Sequence, residues 1–386
     1  GPSPTPDADV VRSHTAQTRT TPRSPSIDSL PAVQPGLCRA LYFIIVTDQH
    51  CAGPAPLVAV VVPAFNAERY LADALRSLFD QTLSDIEIIV VDDGSRDATR
   101  AIAERFAADD ARVRVIARDA PSGRPAVARN AGLAAARGRF VAFLDADDTS
   151  LPTRLEHAVR ALERTGALFA FADKRRLFVD TGELAPIGTL AADEFLDTAT
   201  PYLEHVDGAV YLCRSTFSAF LFRYIAVNTS TVVFDRRLLA LEPTMFDETL
   251  VCFEDVDLWF RFAEHTRFAF IDEIHTIMRK HAASITASNP VDTRIDGIGV
   301  RKAHLARLRS RMSAAEVAAA KRTLSELQFH VAYAKWCAND HTSARAWYLA
   351  SWRTRPTLAA ALGYAKALIP RSRALAVARA LGRRAD

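Results

Sequence analysis

Three apolar runs, interrupted only at Glu87 and each closed by turn-forming or acidic residues, constrain the fold of this chain more than any other feature. Leu57 to Val62 reads LVAVVV and stops at Pro63; Ile86 to Val91 reads IEIIVV and stops at Asp92-Asp93-Gly94-Ser95. Phe140 to Leu144 reads FVAFL and stops at Asp145-Ala146-Asp147-Asp148. Largely apolar runs of this kind describe strands covered on both faces, the condition of a parallel sheet. Between the first two, apolar residues recur at helical spacing: Tyr70, Leu71, Ala74, Leu75 and Leu78. Segments 98–108 and 126–136 also read as helices, and Val113 to Ala117 as a strand. Pro152 sits near the first turn of a helix reaching about Arg164, and Leu168 to Ala172 is a further strand. The alternation predicts the α/β class: a doubly wound, mostly parallel sheet with helices on both faces. Right-handed crossovers then bring the carboxyl ends of the strands to one edge, where ligands bind.

Composition narrows the function classes. The 386 residues hold 48 Lys and Arg against 45 Asp and Glu, a net charge of +3, so no global nucleic-acid-binding charge is present. Five cysteines (Cys38, Cys51, Cys213, Cys252, Cys337) are scattered without a C-x-x-C pair. That pattern offers neither a disulfide framework nor a cysteine zinc site and fits a reducing, cytoplasmic setting. No apolar run approaches the ~18 residues that span a bilayer; Leu41 to Val46 is far too short. Residues 3–36 are rich in Pro, Ser, Thr and Asp, so 1–56 reads as a largely disordered tail. The pattern is weak over 174–230 and helical from about residue 302.

The acids at the strand ends carry the chemistry. Asp145, Asp147 and Asp148 place three carboxylates within four positions, which repel one another unless positive charge lies between them. A hard divalent cation with oxygen ligands and a substrate phosphate answers that need. Acids that merely favour the next helix's N-terminus are the plainer alternative. No G-x-G-x-x-G follows the first strand, where Pro63-Ala64-Phe65-Asn66 stands instead, which argues against a dinucleotide oxidoreductase. The Gly-rich basic loop of a nucleotidyltransferase is missing there too.

Five blocks between residues 57 and 285 resemble the inverting, GT-A-fold glycosyltransferases of family 2. They are VAVVVPAFNAERYL, IIVVDDGSRDAT, AVARNAGLAAARGRFVAFLDADD, NTSTVVFDRR and FEDVDLWFRFAE. The resemblance implies a GT-A Rossmann-like domain over 57–300 and a helical C-terminal extension over 301–386. It implies transfer of a sugar from a nucleotide-diphosphate sugar, UDP-sugar favoured, with Mg2+ or Mn2+, to a glycan or lipid-linked acceptor. Asp93 is expected to hydrogen-bond the donor base, and Pro63, Phe65, Asn66 and Glu68 to line base and ribose. Arg129 is expected to support the donor and Asp145 to lie near ribose and metal. Asp147 and His281 are expected to hold the metal, and Asp255 to be the catalytic base. A salt bridge is the structural alternative for Arg129, a cap or packing role for Asn130, and a place in the core for Trp259. Gly123-Arg124-Pro125-Ala126 departs from the smaller Gly-rich approach such families often carry.

From Thr342 to Asp386 basic residues alternate with Trp347, Tyr348, Trp352, Leu358, Leu362, Leu368, Ile369, Leu375, Val377 and Leu381. These helices are a candidate for peripheral contact with an anionic membrane at its cytoplasmic face. Packing on the core with a solvated basic face is the alternative. A degenerate domain that binds a nucleotide sugar or a partner without turnover is the rival reading of the whole.

Overall fold

The structure is a computed structural model that describes residues 54–214, 221–222, 224–242, 244–282 and 290–369. Residues 1–53, including the LYFIIV run, lie outside the described residues, as do 370–386. In chain order the first elements are β1 (Val58–Ala64), α1 (Leu71–Phe79), β2 (Ile86–Asp92), α2 (Thr99–Asp109) and β3 (Val113–Ala117). There follow α3 (Pro125–Ala135), β4 (Phe140–Phe143), β5 (Thr149–Ser150), α4 (Arg154–Thr165) and β6 (Phe169–Phe178). Next come β7 (Glu183–Leu184), α5 (Thr189–Ala192), α6 (Phe195–Ala199), β8 (Leu203–Asp207), β9 (Val210–Cys213), β10 (Val233–Asp235) and α7 (Leu238–Leu241). The last are α8 (Glu254–Phe262), β11 (Phe268–Lys280), α9 (Pro290–Leu308), α10 (Ala314–Cys337), α11 (His341–Thr354) and α12 (Leu358–Lys366).

The strands form one sheet ordered β3-β2-β1-β4-β10-β6-β11-β9-β8. β3, β2, β1 and β4 run parallel, as do β6 and β11, while β10 is antiparallel to both its neighbours. The class is α/β, as the apolar runs predict. Alternate residues of β1 and β2 enter opposite layers. Val58, Val60, Val62, Ile88 and Val90 pack with Leu71, Leu75, Leu155 and Leu162 of α1 and α4. Ala59, Val61, Ile89 and Val91 pack with Ala128 and Leu133 of α3 and with Leu258 and Trp259 of α8. Period-2 alternation with both sets buried is what makes the runs continuous in sequence. At Gly132 a Cβ would stand 2.3 Å from Val61 Cγ1, so α3 lies against β1 more closely than alanine allows.

The weakly patterned 174–230 segment extends β6 to Phe178 and adds β7, α5, α6 and the β8–β9 hairpin. These elements are short and partly exposed, so their sequence carries little periodic signal. The late helices have conventional starts. Ser313 and Glu316 form a capping box at α10, and Asp340 caps α11 by accepting from Ser343 N–H. Their core is Ala332, Trp336, Ala344, Tyr348 and Ala367, with Ile298, Leu324 and Val331 joining α9 to α10. No helix among the described residues is long and apolar enough to cross a membrane.

Candidate active site

β4 stops at Phe143, and Leu144 N–H donates to Val61 O at 3.1 Å, so the acids that follow leave the sheet at its carboxyl edge. Asp148 N–H closes the turn on Asp145 O at 3.0 Å. Asp145 N–H donates to Ser230 Oγ (3.1 Å), and its Oδ1 accepts from Arg129 Nη2 (2.8 Å). Asp147 Oδ2 faces His281 Nε2 at 2.9 Å. Asp148 is buried and accepts the backbone N–H of Arg279 at 3.1 Å. Burial, then Asp145, raises the Asp147 carboxyl above its ordinary value. Burial, then Asp147 and Asp145, pushes Asp148 up further. Cations surround this turn. Arg154, wholly buried, donates to Phe143 O (2.6 Å) and Val232 O (3.2 Å); burial pulls it down to about 9 while Asp148 and Asp145 hold it up. Arg279 reaches Asp147 O (3.2 Å) and Asp73 (3.0 Å) and lies over the Tyr70 ring, which stacks on His281 at 5.1 Å between centroids.

Asp255 occupies the first turn of α8. The helix starts after Phe253, held at φ +67°, a left-handed conformation that a bulky residue rarely adopts. Strain of this kind, on the order of 1–3 kcal/mol, persists where surroundings enforce it and gathers at functional sites. Thr229 Oγ1 donates to Asp255 Oδ2 at 2.7 Å, and Val256 N–H donates to Oδ1 at 2.7 Å. The neighbouring Ser230 holds Asp145, so one short helical turn, Thr229–Thr231, touches both Asp255 and the acid loop. A second tie is Arg129, whose Nη1 lies 2.5 Å from Glu254 Oε1 while its Nη2 holds Asp145. Burial opposes the charge on Arg129, but Asp145, Glu254 and Asp255 outweigh it and hold the guanidinium above its ordinary value. Burial likewise raises the Glu254 carboxyl, with Arg129 pulling back and Asp255 pushing the same way as burial. The salt-bridge alternative for Arg129 is therefore realised in duplicate. Trp259 is a core residue, 1% exposed, among Phe143, Phe169, Phe246 and Phe262. Asn130 packs α3 onto the loop before α8, donating to Phe246 O and accepting from Phe246 N–H.

Asp93 follows β2, and its N–H donates to Ala64 O at 2.9 Å. Its Oδ2 accepts from Ser122 N–H (3.0 Å) and Oγ (2.7 Å), and its Oδ1 lies 2.8 Å from Arg118 Nε. Asn66 and Glu68 clasp the β1 turn to the β2 turn. Asn66, at φ +49°, donates to Ser95 Oγ and accepts from Arg96 N–H, and Glu68 accepts from Ala98 N–H, each at 2.9 Å. Pro63 is half-buried in β1, whereas Phe65 is 47% exposed beside the clasp. β1 alone separates β2 from β4, so Asp93 and Asp145 leave the sheet two strand spacings apart, roughly 10 Å.

The structure thus pairs Asp145 with Arg129, Asp147 with His281 and Asp255 with Thr229, three contacts joined through the acid turn and the adjacent Thr229-Ser230, with Asp93 two strands away. The acids line an open sheet edge. The two described cavities lie elsewhere, about 460 Å³ beside Arg309, Met312 and Lys321 and about 190 Å³ beside Leu190, Phe195 and Asp272. Asp145, Asp147 and His281 do not form a closed three-ligand cage. Asp145 turns one oxygen to Arg129 while Asp147 meets His281. That donor set still fits Mg2+ or Mn2+, which are held by one or two carboxylates plus substrate phosphates rather than by an all-protein cage. Residues the motifs passed over are Arg118, Ser122, Thr229, Ser230, Glu254 and Tyr70. They act through contacts between distant segments; the NTST and FED strings contain three of them and the NAERYL string a fourth, Tyr70.

Comparison with known proteins bears on the family and the fold. Residues 59–226 match the family model for glycosyl transferase family 2. The uncharacterized glycosyltransferase EpsJ of Bacillus subtilis (strain 168) is 31% identical over 238 residues, covering 60% of this chain and 63% of EpsJ. The succinoglycan biosynthesis protein ExoO of Rhizobium meliloti (strain 1021) is 36% identical over 208 residues, 52% of this chain and 53% of ExoO. The chain therefore spans less than two thirds of either relative. Among solved structures, S. aureus TarS 1–349 in complex with UDP-GlcNAc superposes with a TM-score of 0.52 at 21% identity, covering 83% of both chains, a likeness of fold. Residues 59–226 are thus similar to glycosyl transferase family 2, and the fold is GT-A.

Proposed function

We propose that this protein is an inverting glycosyltransferase that moves a sugar from a UDP-sugar to an acceptor hydroxyl, with residues 57–300 as the transferase domain. The observation that carries the reading is the double tie between the acid turn and the start of α8. Thr229-Ser230 and Arg129 each hold both sides, keeping Asp255 at a set distance from Asp145 and Asp147. A nucleoside diphosphate laid across β1 would reach from Asp93 to the acid turn. There Asp93 offers an acceptor and Arg118 a donor, matching the imide edge of uracil, which presents one N–H between two carbonyls. Asp255 takes the proton of the acceptor hydroxyl as its oxygen bonds to C1 of the sugar. The bond from C1 to the diphosphate oxygen breaks on the opposite side, so the anomeric configuration inverts. Arg279 and His281 stand where the diphosphate gathers charge. A divalent cation held by Asp147, with Asp145 and His281 beside it, would supply further positive charge to that leaving group.

The similarity to ExoO, a succinoglycan biosynthesis protein, supports a growing saccharide, free or lipid-linked, as the acceptor class. A cytoplasmic, membrane-peripheral setting suits such an acceptor. On α12 the exposed Leu358 and Leu362, with Leu368 and Ile369 beyond, form an apolar outer stripe for that contact. UDP binding measured by calorimetry with and without Mn2+, alongside donor hydrolysis, tests the reading. Metal-dependent UDP binding and hydrolysis abolished by Asp147→Ala are expected. Absence of nucleotide binding would leave only the partner-binding form of the degenerate-domain alternative.

A further inference from the structure

Away from the strand-end acids, β11 and α4 bring together a second group of ligating side chains. His157 Nδ1, on α4, lies 2.6 Å from Glu273 Oε2, and His275 Nε2 lies 3.2 Å from the same oxygen. The three ligand atoms all fall within 4.8 Å of one another, the only such trio of His, Cys, Asp or Glu among the described residues. The two imidazole centroids are 5.8 Å apart. We infer that His157, Glu273 and His275 bind one borderline-soft divalent transition ion of the zinc class, with solvent completing its shell.

The chemistry and the build of the site both favour this ion. Two imidazoles and one carboxylate select zinc-like metals over Mg2+ and Ca2+, which prefer all-oxygen shells. Bonds of about 2.0–2.1 Å in a tetrahedral shell separate neighbouring ligand atoms by roughly 3.3 Å. The His275–Glu273 separation of 3.2 Å is close to that value and the His157–Glu273 separation of 2.6 Å is shorter, so a rotation of the Glu273 carboxylate away from His157 is needed to admit the ion. Glu273 and His275 are two residues apart, the spacing that shares a face of a strand. β11 shifts register against β6 between Ile271 and Ile274 and again before Thr276, and such irregularities re-aim side chains. Leu151 N–H holds the backbone carbonyl of His275 at 2.9 Å. His275 is wholly buried, while the side chains of His157 and Glu273 are 29% and 40% exposed, leaving one open side for entry and for water. His275 Nδ1 is buried and has no acceptor among the described residues. The hydrogen bond that commonly backs a metal-bound imidazole is therefore missing, and affinity should be roughly 10–100-fold below that of a supported site. Four residues of strand, about 13 Å, separate His275 from Arg279 at the acid turn, so this site is distinct from the donor-binding edge. Its effect is to pin α4 to β11.

The test uses the full chain with Co2+, whose visible absorption reports coordination geometry, and with Zn2+ as competitor. One equivalent of Co2+ should give the visible bands of a four- or five-coordinate ion, lost on adding Zn2+, and Zn2+ should raise Tm. His157→Ala and Glu273→Gln, both at partly exposed side chains, should abolish the bands and the Tm shift, whereas Asp147→Ala should keep both. The inference is overturned if wild type gives no bands, if Asp147→Ala removes them, or if His157→Ala and Glu273→Gln leave them intact. None of these outcomes depends on UDP binding or turnover, so failure here is separable from failure of the proposed transferase activity.

Discussion

Arg129 on α3 and Glu254 at the start of α8 are 125 residues apart in the chain, yet they meet as a guanidinium–carboxylate pair buried on both sides. A buried pair is costly to assemble and more costly to break, because removing one partner strands the other charge. Arg129→Met should therefore lower unfolding stability by about 3–5 kcal/mol. Adding Glu254→Gln to that variant should recover part of the loss, and a double-mutant cycle from urea unfolding would read the coupling. Equal stability of wild type and Arg129→Met would remove the pair from the account of the site.

Asp255 accepts hydrogen bonds from Thr229 and from Val256 N–H, and its charge helps hold the Arg129 guanidinium. Asp255→Asn is expected to keep UDP affinity within a few fold while turnover falls by on the order of 100-fold or more. Thr229→Val removes only the orienting hydroxyl and should cost roughly 10-fold in turnover. Steady-state kinetics beside calorimetric UDP binding separates the two effects. A loss confined to KM would make Asp255 a binding group.

Gly132 allows α3 to close on β1, since a Cβ there would lie 2.3 Å from Val61 Cγ1. Gly132→Ala should overpack this contact and cost about 1–3 kcal/mol despite alanine's higher helix propensity. Thermal unfolding reads the sign directly: a rise in Tm would mean that the helix moves away without penalty.

Asp257 lies on α8 between His304 (2.8 Å) and Arg261 (3.0 Å). Burial works to raise its carboxyl, but the hydrogen bond with His304 and the charge of Arg261 outweigh burial and hold it below the ordinary 3.8. The folded state thus holds this proton less tightly than the unfolded state. Its contribution to stability is complete above the unfolded value and is lost as pH falls through the lower folded one. Asp257→Asn should lower the urea midpoint at pH 7, and the gap from wild type should narrow as pH drops below 3.8. A gap independent of pH would assign the effect to packing alone.

Much of the sheet was legible before any coordinates. β1, β2 and β4 are covered on both faces, so each reads as an apolar run, broken only at Glu87 of β2, and the strand expected at Val113 to Ala117 matches β3 residue for residue. β8 and β9 were not legible. β8 is mostly exposed, and an edge strand without a fully buried face has no run to display. The strand-end acids and the FEDVD turn stood out as strings, and the structure links them. The partners of those acids did not stand out. Arg118 lies in no motif, and Thr229 and Glu254 lie in quoted strings that do not show their partners until folding sets these three beside Asp93, Asp255 and Arg129.

Burial periodicity is local, so the order of strands and helices, and the turns that place acids at the sheet edge, were written into short stretches of chain. Which carboxylate meets which cation is not local. Ion pairs such as Arg129 with Asp145 and Glu254, and the meeting of His157 with Glu273 and His275, form between segments brought together only when the sheet closes and its helices dock. Charge and hydrogen-bond geometry vary over a few ångströms, a scale that no residue spacing along the chain encodes, and that is why tertiary packing alone decided them.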